Sequence, residues 1–295
     1  MQETYGPHSD WHAHTHLSDG RASPAEAARA ALDLGLRHLA ITDHDCIDAH
    51  LDEQLGGLVA GTGLELIAGV EIDCTLADLS IEILGYRFDP HDRVLGRRLR
   101  EIQIARRERV RFLAEGLARS GEPVDPEALL AGETVAFLKV HLYKVLEAAG
   151  RTFAGGYREF KDRLAELGSP PSVPTPTAEE AVRLICDAGG YALLAHPLYY
   201  LQRRDPRWLL TGIRAAGCLG VEFAYPYDYG SDGLARDEVA EAYGRLQEAL
   251  VEVFPSGALR SRGSDVHDPA EWRGRLERVA EWEQALASGT GRPPG

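Results

Sequence analysis

Two histidines separated by one residue, with an aspartate shortly after them, limit most strongly what this chain can form. They lie in the stretch Asp10-Trp11-His12-Ala13-His14-Thr15-His16-Leu17-Ser18-Asp19-Gly20. Side chains alternate faces along an extended strand, so His12 and His14 are expected to point the same way. Two imidazoles on one face can hold a metal ion, and Asp19 can add a carboxylate after the turn. A single His-x-His motif also fits a polar surface strand.

Four more clusters of possible metal ligands follow, each near the predicted end of a strand. They are Thr42-Asp43-His44-Asp45, Gly69-Val70-Glu71-Ile72, Leu194-Ala195-His196-Pro197 and Gly263-Ser264-Asp265-Val266-His267. In a barrel of parallel strands, the carboxyl ends of the strands gather at one end and carry the chemistry. The repetition therefore favours one site for several metal ions over a polar surface strand.

Helices are predicted between these clusters. Ser23-Pro24-Ala25-Glu26 combines a capping box with proline at the first helical position, and Gly35 marks the end of that helix. Short strands are predicted near residues 8–14, 37–42, 64–70, 80–86 and 191–195, with further helix-strand units over 206–223 and 234–264. This alternation predicts parallel strands with the helices outside.

The alternation breaks between about residue 90 and residue 170, where the sequence is mostly helical. Apolar residues fall near helical spacing at Leu95, Leu99, Ile102, Val110, Leu113 and Leu117. The arginines beside this apolar stripe, including Arg106, are interpreted as a solvated helix face and not as a nucleic-acid patch. The proline-rich segment 168–176 is predicted to be a stiff linker back to the barrel.

The five clusters, in this order, resemble the motifs of the PHP superfamily, named for polymerase-associated and histidinol phosphatase domains. The insertion and the Leu-Ala-His-Pro motif resemble the branch that contains 3′,5′-nucleotide bisphosphate phosphatases and the exoribonuclease RNase AM. The resemblance implies an α/β fold, a distorted (βα)₇ TIM-like barrel with an inserted, mainly helical cap. We expect the barrel to comprise residues 8–89 and 176–287, the cap residues 90–175, and a disordered tail residues 288–295.

The resemblance also implies three neighbouring metal positions. The first would use His12, His14, Glu71 and Asp265. The second would share Glu71 and add His196 with a residue of the fourth strand. The third would use Asp19, His44 and His267. These ligands suit two or three ions of Mn²⁺, Fe²⁺ or Zn²⁺.

Further roles are expected for residues in and near the motifs. Asp265, His267 and His196 are expected to be catalytic as well as metal-binding. Asp10, Asp43 and Asp45 are expected to orient histidines. Surface or structural roles are expected for His8, His16, His38, His50 and His91.

One position departs from the family pattern. The family usually has histidine on the fourth strand before Leu-Gly-Tyr, whereas this chain has Glu82 before Leu84-Gly85-Tyr86. One interpretation is a lost ligand. We favour Glu82 as the missing ligand of the second position, because a carboxylate binds the same metals. An unpaired charge on this otherwise apolar strand would also be costly.

The predicted cap contains the chain's three lysines, Lys139, Lys144 and Lys161. Its segment 138–144 resembles the family's Arg-Pro-His stretch, which holds phosphate over the metals. Lys139 takes the place of the arginine and His141 matches the histidine. Both are predicted to bind substrate phosphate, and the alternative for the lysines is an ordinary helix surface.

Composition limits the partners. The net charge of −14 argues against an extended nucleic-acid surface, although it permits a small phosphorylated substrate beside bound metals. The four cysteines form no paired motif, which is typical of reduced thiols in the cytoplasm. No apolar stretch is long enough to span a membrane, and no signal peptide is evident. The oligomeric state stays open.

The predicted function is metal-dependent hydrolysis of a small phosphate ester by a metal-activated hydroxide, with a nucleotide or sugar phosphomonoester as the expected substrate. Three alternatives stay open. They are a cyclic phosphodiesterase, a 5′-3′ exoribonuclease and a non-catalytic regulatory PHP domain.

Overall fold

A computed structural model describes residues 6–227 and 236–287 of this chain, and its centre is a seven-stranded sheet. The strands, in both chain and spatial order, are β1 (Ser9–Ala13), β2 (His38–Ile41), β3 (Glu65–Leu76), β4 (Leu79–Tyr86), β5 (Tyr191–Leu194), β6 (Gly220–Ala224) and β7 (Leu259–Arg262). Backbone hydrogen bonds of 2.9 Å from His14 to Val266 and 2.8 Å from Asp265 to His12 join the two edges. The predicted distorted α/β barrel is confirmed.

Helices surround the barrel and form the insertion. Those before the insertion are α1 (Pro24–Asp33), a 3₁₀ helix (Asp48–Leu51) and α2 (Glu53–Val59). Those of the insertion are α3 (Arg93–Arg119), α4 (Pro126–Leu130), α5 (Lys139–Ala148) and α6 (Gly156–Ala165). The remaining helices are α7 (Ala178–Asp187), α8 (Leu198–Leu201), α9 (Pro206–Ala216), α10 (Arg236–Val253) and α11 (Trp272–Ala287). Among the described residues, no helix is long and apolar enough to cross a membrane.

The prediction that the strands are all parallel is wrong for β4. This strand runs antiparallel to both β3 and β5, because a short turn at Ala77–Asp78 folds β3 directly back as a hairpin. Strand β3 is also longer than expected and continues to Leu76, so Glu71 lies inside it. The antiparallel register pairs Glu82 with Asp73. Glu82 therefore lies at the ligand-bearing end of the barrel although it belongs to the first half of its own strand.

Helix α3 belongs to two apolar cores. Its first half contributes Leu95, Leu99 and Ile102 to the large core of the barrel. Its second half contributes Val110 and Leu113 to a separate core with α4, α5 and α6. One continuous helix thus fixes the insertion to the barrel. The domain limits at residues 90 and 175 stay a prediction, and the predicted tail at 288–295 lies outside the described residues.

The start of α1 follows local sequence rules. Ser23 Oγ accepts a hydrogen bond of 3.2 Å from the Glu26 amide, and the Ser23 amide donates one of 2.8 Å to the Glu26 carboxylate. These two bonds form the predicted capping box and satisfy amides that the helix leaves free. The helix therefore begins where the chain leaves the loop that carries Asp19.

Candidate metal centre

The first cluster consists of His12, His14, Glu71 and Asp265. The Nε2 atoms of His12 and His14 lie 3.0 Å apart, and Glu71 Oε2 lies 3.3 Å from each of them. Asp265 Oδ1 lies 3.4 Å from the first nitrogen and 3.0 Å from the second. Two ring nitrogens this close repel each other unless a proton or a cation lies between them. The structure thus brings together all four side chains that were expected at the first metal position.

Glu222 on β6 holds the ring of His12, and sequence reasoning missed it. Its Oε1 atom lies 3.0 Å from His12 Nδ1, and its Oε2 accepts a hydrogen bond of 2.9 Å from the His196 amide. A carboxylate only accepts, so His12 donates from Nδ1 and presents the Nε2 lone pair to the cluster. A carboxylate behind a histidine is the usual support of a metal ligand. Glu222 is fully buried.

The second cluster contains Glu71, Glu82 and His196. His196 Nε2 lies 3.1 Å from Glu71 Oε1 and 3.3 Å from Glu82 Oε2. Glu71 thus faces the first cluster with one oxygen and the second cluster with the other. His44, Glu71 and Glu82 also have ligand atoms close enough to share one ion. The structure places Glu82 where the sequence comparison expected a ligand.

The third cluster contains Asp19, His44 and His267, with His14 beside them. These four side chains each offer a ligand atom within 4.8 Å of the others. His267 Nε2 lies 3.1 Å from Asp19 Oδ2, while its Nδ1 lies 3.0 Å from the backbone carbonyl of Asp265. The carbonyl accepts from Nδ1, which leaves Nε2 to face the cluster. All of the predicted metal ligands therefore converge at one end of the barrel.

Unpartnered buried atoms show that a cation fits here. His14 Nδ1 is buried and forms no hydrogen bond, and the buried atoms His44 Nδ1 and Asp73 Oδ1 lie 3.2 Å apart without hydrogen-bond geometry. Such atoms are rare in native interiors and call for an ion or a water. The donors are imidazoles and carboxylates, the ligand types of Mn²⁺, Fe²⁺ and Zn²⁺. The residues present therefore fit the metal ions that the fold implies.

Two candidate ligands lie on strained backbone. His196 has a φ of 24° and Asp265 a φ of 50°, both in the left-handed region that favours glycine. A non-glycine residue there costs roughly 1–3 kcal/mol, and such strain concentrates at functional sites. These turns direct both side chains inward just after β5 and β7.

The charged groups of the cluster shift one another's pKa values. Burial alone would lower the pKa of His14, but hydrogen bonds with Asp265 and Glu71 raise it to about 9. At His196, burial alone would also lower the pKa, but the negative charges of Glu82 and Glu71 raise it to about 9. Burial would raise the pKa of Asp265, but His12 and His267 hold it well below the usual range. The metal-free site therefore tends to hold protons where cations would bind.

Asp10, Asp43 and Asp45 were expected to orient histidines, but their carboxylates bind other groups and not imidazole rings. Asp10 accepts hydrogen bonds from the Ser264 hydroxyl and the Trp272 indole, both at 2.6 Å. Asp43 accepts from the backbone and side chain of Thr15 and from the Ser18 hydroxyl. Asp45 binds Arg106. These carboxylates shape the loops that carry the histidines. His50 is structural as expected, since its Nε2 lies 2.9 Å from the backbone carbonyls of Ile41 and Gly69.

The prediction of a solvated arginine face on α3 is wrong for Arg106. Its side chain is only 11% exposed and reaches the barrel, where Nε lies 2.8 Å from Asp45 Oδ2 and Nη2 lies 2.6 Å from Asp73 Oδ2. The other oxygen of Asp73 lies 3.2 Å from His44 Nδ1. Arg106 thus connects the insertion, through Asp73, to the candidate metal ligand His44. Asp73 was also missed, because its role depends on this distant partner.

A cleft of about 570 Å³ opens between the candidate metal centre and the insertion. Its barrel wall includes Asp19, His44, Asp73 and Glu82. Its cap wall includes Arg106, Arg109, Lys139, Phe137 and Tyr157. Lys139 therefore lies where the sequence expected a phosphate-binding residue.

His141 contacts backbone groups. Its Nδ1 accepts a hydrogen bond of 2.9 Å from the Leu138 amide, and its Nε2 lies 2.8 Å from the carbonyl of Ser18. The carbonyl can only accept, so His141 donates to it and ties α5 to the loop that carries Asp19. Lys144 donates to the neighbouring carbonyl of Asp19. This geometry favours a positioning role for His141.

Comparisons with known proteins identify the family of this chain. A family model described as PHP domain matches residues 10–137. A 5′-3′ exoribonuclease of Haemophilus influenzae is 31% identical over 89% of this chain and 91% of its own length. A 3′,5′-nucleoside bisphosphate phosphatase of Chromobacterium violaceum is 28% identical, over 89% of this chain and 88% of its own length. A solved structure from Bifidobacterium adolescentis, described as a metal-dependent phosphoesterase, has a TM-score of 0.71 and 24% identity, covering 92% of this chain and 96% of its own.

The fold and the site define the class as a metal-dependent phosphoesterase, a hydrolase of phosphoric esters. The chain belongs to the PHP family. The predicted resemblance is thereby confirmed.

Proposed function

We propose that this protein hydrolyses a phosphomonoester on a small phosphorylated substrate, a nucleotide or sugar phosphate, in the cleft between the metal centre and the cap. The observation that carries the proposal is the placement of opposite charges on the two walls. The carboxylates of Asp19, Asp73 and Glu82 line one wall together with His44, and Arg106, Arg109 and Lys139 line the other. A phosphate ester needs both, because metals must reach the phosphorus oxygens while the protein fixes the rest of the substrate.

The proposed cofactors are two or three divalent ions. Three overlapping clusters support up to three ions, with Glu71 shared between the first two. The first cluster has two imidazoles and suits Zn²⁺, Mn²⁺ or Fe²⁺. The second has two carboxylates and one imidazole, which favours the harder ions Mn²⁺ and Fe²⁺. When bound, these ions would activate water and neutralise charge on the phosphoryl group.

The chain's own residues orient the substrate around that chemistry. Lys139 on the cap wall would bind a phosphate oxygen as a point charge. His141 would keep α5, and with it Lys139, at a fixed distance from the Asp19 loop. Asp265, His267 and His196 remain the proposed catalytic residues. His267 is the more open of the two histidines, with a side chain 33% exposed. With the third metal position empty, its Nε2 atom would be the one to give a proton to a leaving alcohol.

Three cations near the cap wall support a second anionic group on the substrate. Burial lowers the pKa of Lys139, and the positive charges of Arg109 and Lys161 lower it further. None of the three forms an ion pair with a carboxylate within the described ranges. Tyr157 beside them offers an aromatic face, with Lys161 5.3 Å from its ring centre. A nucleoside bisphosphate, the substrate in the name of the Chromobacterium relative, has this combination.

Two other hydrolytic functions use the same centre. Glu82 makes the second cluster less positive than a histidine would, which favours a singly charged cyclic phosphodiester as an alternative substrate. The Haemophilus relative supports an exoribonuclease, in which the cleft would take one terminal nucleotide. A non-catalytic regulatory domain is disfavoured, because such a role would not require nine ligand-type side chains to converge.

A reducing, cytoplasmic location is proposed on the basis of the four cysteines. All four are free thiols, and Cys46, Cys74 and Cys218 are buried. Intracellular proteins usually keep their thiols reduced.

A substrate panel tests the proposal. The protein is stripped with a chelator, reloaded with Mn²⁺, Fe²⁺ or Zn²⁺, and assayed on nucleoside bisphosphates, monophosphates, cyclic phosphodiesters and a 5′-phosphorylated oligoribonucleotide. We expect metal-dependent phosphate release, fastest from a bisphosphate. Faster cleavage of the cyclic ester or of the oligoribonucleotide would replace the proposed substrate by that alternative. Absence of turnover on every compound with metal bound would contradict the enzymatic function.

A further inference from the structure

Tyr200 contacts both of the ligands that are particular to the second cluster. It lies in α8, the single helical turn directly after His196-Pro197, and its side chain is buried in the barrel core. Its hydroxyl lies 3.0 Å from the Glu82 amide nitrogen, 2.9 Å from Glu82 Oε2 and 3.4 Å from His196 Nδ1. No sequence motif singled out this residue.

The chemistry of the three partners fixes the direction of each hydrogen bond. A tyrosine hydroxyl has one proton to donate and two lone pairs that accept. The Glu82 carboxylate in its ionised form, which is the form that binds a metal, can only accept, so it takes the hydroxyl proton. The Glu82 amide can only donate, so it uses one lone pair. The remaining lone pair faces His196 Nδ1, which must therefore carry a proton.

This assignment sets the state of His196. With the proton on Nδ1, the lone pair of Nε2 faces Glu71 Oε1 at 3.1 Å and Glu82 Oε2 at 3.3 Å. That is the tautomer that can bind a metal at the second cluster. His12 and His267 are held in the same way, by Glu222 and by the carbonyl of Asp265. Tyr200 would then be the acceptor for the Nδ1 proton of His196, as Glu222 and the Asp265 carbonyl are for the other two rings.

The hydroxyl also restrains Glu82. A glutamate side chain has more rotatable bonds than a histidine, and Glu82 borders the open cleft with a side chain that is 30% exposed. A bond from Tyr200 to one carboxylate oxygen keeps the group at the cluster. The bond from the Glu82 amide to the same hydroxyl fixes the backbone at this point of β4.

We propose that Tyr200 is a positioning residue for the second metal, holding Glu82 in its ligating rotamer and His196 in its ligating tautomer through one hydroxyl group. The proposal rests on the metal centre described under the proposed function. It goes further in assigning a separate, testable role to a residue that is not one of the candidate metal ligands. Outside that role, the ring would serve only as a packing group of the core.

The hydroxyl can be removed without changing the ring. Tyr200→Phe keeps the aromatic packing and deletes the three contacts. Tyr243→Phe is the matched control, because Tyr243 is also buried and its hydroxyl donates a 2.9 Å bond to the backbone carbonyl of Phe223 and not to a candidate metal ligand. Both variants and the parent are loaded with Mn²⁺ and dialysed against graded chelator, and bound metal is counted by mass spectrometry.

We expect Tyr200→Phe to lose one metal equivalent at a chelator concentration roughly 10–100-fold lower than the parent, the usual effect of removing a group behind a ligand. Tyr243→Phe should keep the parent's metal content even if it melts earlier. Unchanged retention of every metal by Tyr200→Phe would overturn the proposal and leave Tyr200 a packing group. If the parent binds no metal, the metal centre itself is wrong, and that result is separate from the first.

A double-mutant cycle gives a second readout. In the Glu82→His background, the Tyr200 hydroxyl no longer has a carboxylate to hold. Tyr200→Phe should therefore lower metal affinity less in that background than in the parent. An equal effect in both backgrounds would contradict the coupling between Tyr200 and Glu82.

Discussion

The two walls of the cleft carry charge in different ways. On the barrel wall, histidines and carboxylates lie about 3 Å from one another, and Glu71 alone is within 3.4 Å of four histidines. On the cap wall, Arg109 and Lys139 form no ion pair with a carboxylate within the described ranges. The barrel thus compensates its charges internally or with metal, whereas the cap leaves cations for a ligand. We infer that the barrel wall serves catalysis and the cap wall serves substrate affinity.

The largest effect should follow from removing the carboxylate shared by the first two clusters. Glu71→Gln should lower kcat by on the order of 10³-fold, because metal catalysis supplies several kcal/mol of transition-state stabilisation. Metal content should fall in parallel, as measured by mass spectrometry. Glu65→Gln on the exposed part of the same strand is the control and should retain both. A Glu71→Gln variant with full metal content and native kcat would remove the distinction between the walls.

Arg106 is the exception on the cap wall, since it is paired, and it should therefore affect stability. Arg106→Gln leaves Asp45 and Asp73 buried without their cation, which should lower the free energy of unfolding by about 3 kcal/mol. Arg111→Gln on the same helix removes ion pairs with the exposed carboxylates of Glu108 and Glu127 and should cost less than about 1 kcal/mol. Chemical denaturation measures both. Equal losses in the two variants would show that Arg106 does not join cap and barrel as described.

Glu82 tests whether a carboxylate completes the second metal position. Glu82→Ala should weaken that position and lower kcat by roughly 10²-fold, consistent with losing part of the metal's contribution. Glu82→His should restore metal binding while adding positive charge, and should shift preference toward doubly charged monoesters over phosphodiesters. Metal titration and the ratio of the two kcat/KM values measure this. Native turnover and metal occupancy in Glu82→Ala would make Glu82 a bystander.

The smallest expected effects come from the cap. Lys139→Ala should raise KM by roughly 10-fold with metal content unchanged, the mark of lost binding energy. His141→Ala should also raise KM, together with a lower melting temperature, because it frees the carbonyl of Ser18. Arg119→Ala, an exposed change in the cap, is the control. Loss of metal in Lys139→Ala would show that Lys139 supports the metal centre, which contradicts its assignment to substrate binding.

The difference between the walls also explains what sequence could predict. The barrel ligands follow short strands in local motifs such as His12-Ala13-His14, so their convergence required only the fold. Glu222 follows no motif, yet it is a lone charge on the apolar strand β6, the same signal that pointed to Glu82. Gly263 could not be predicted either. A Cβ there would collide with His12 and Glu222, so only glycine lets them pack.

Arg106 and Tyr200 were unpredictable for a different reason. Their partners are distant in sequence, and an arginine in a helix or a tyrosine after a histidine fits many environments. The antiparallel direction of β4 was missed because the alternation of strands and helices was extended across the short turn at Ala77–Asp78. Sequence therefore predicts residues that act within one strand end, while residues that join separate elements require the structure.

The most direct test of the account is a crystal structure of the Mn²⁺-loaded protein with anomalous scattering measured at the manganese edge. The account predicts anomalous peaks at the ligand end of the barrel, one bounded by His12, His14, Glu71 and Asp265, and a second bounded by Glu71, Glu82 and His196. A third peak is expected between Asp19, His44 and His267. Well-ordered crystals of the loaded protein with no peak at these side chains, or with peaks only elsewhere, would contradict the central claim that they form a metal centre.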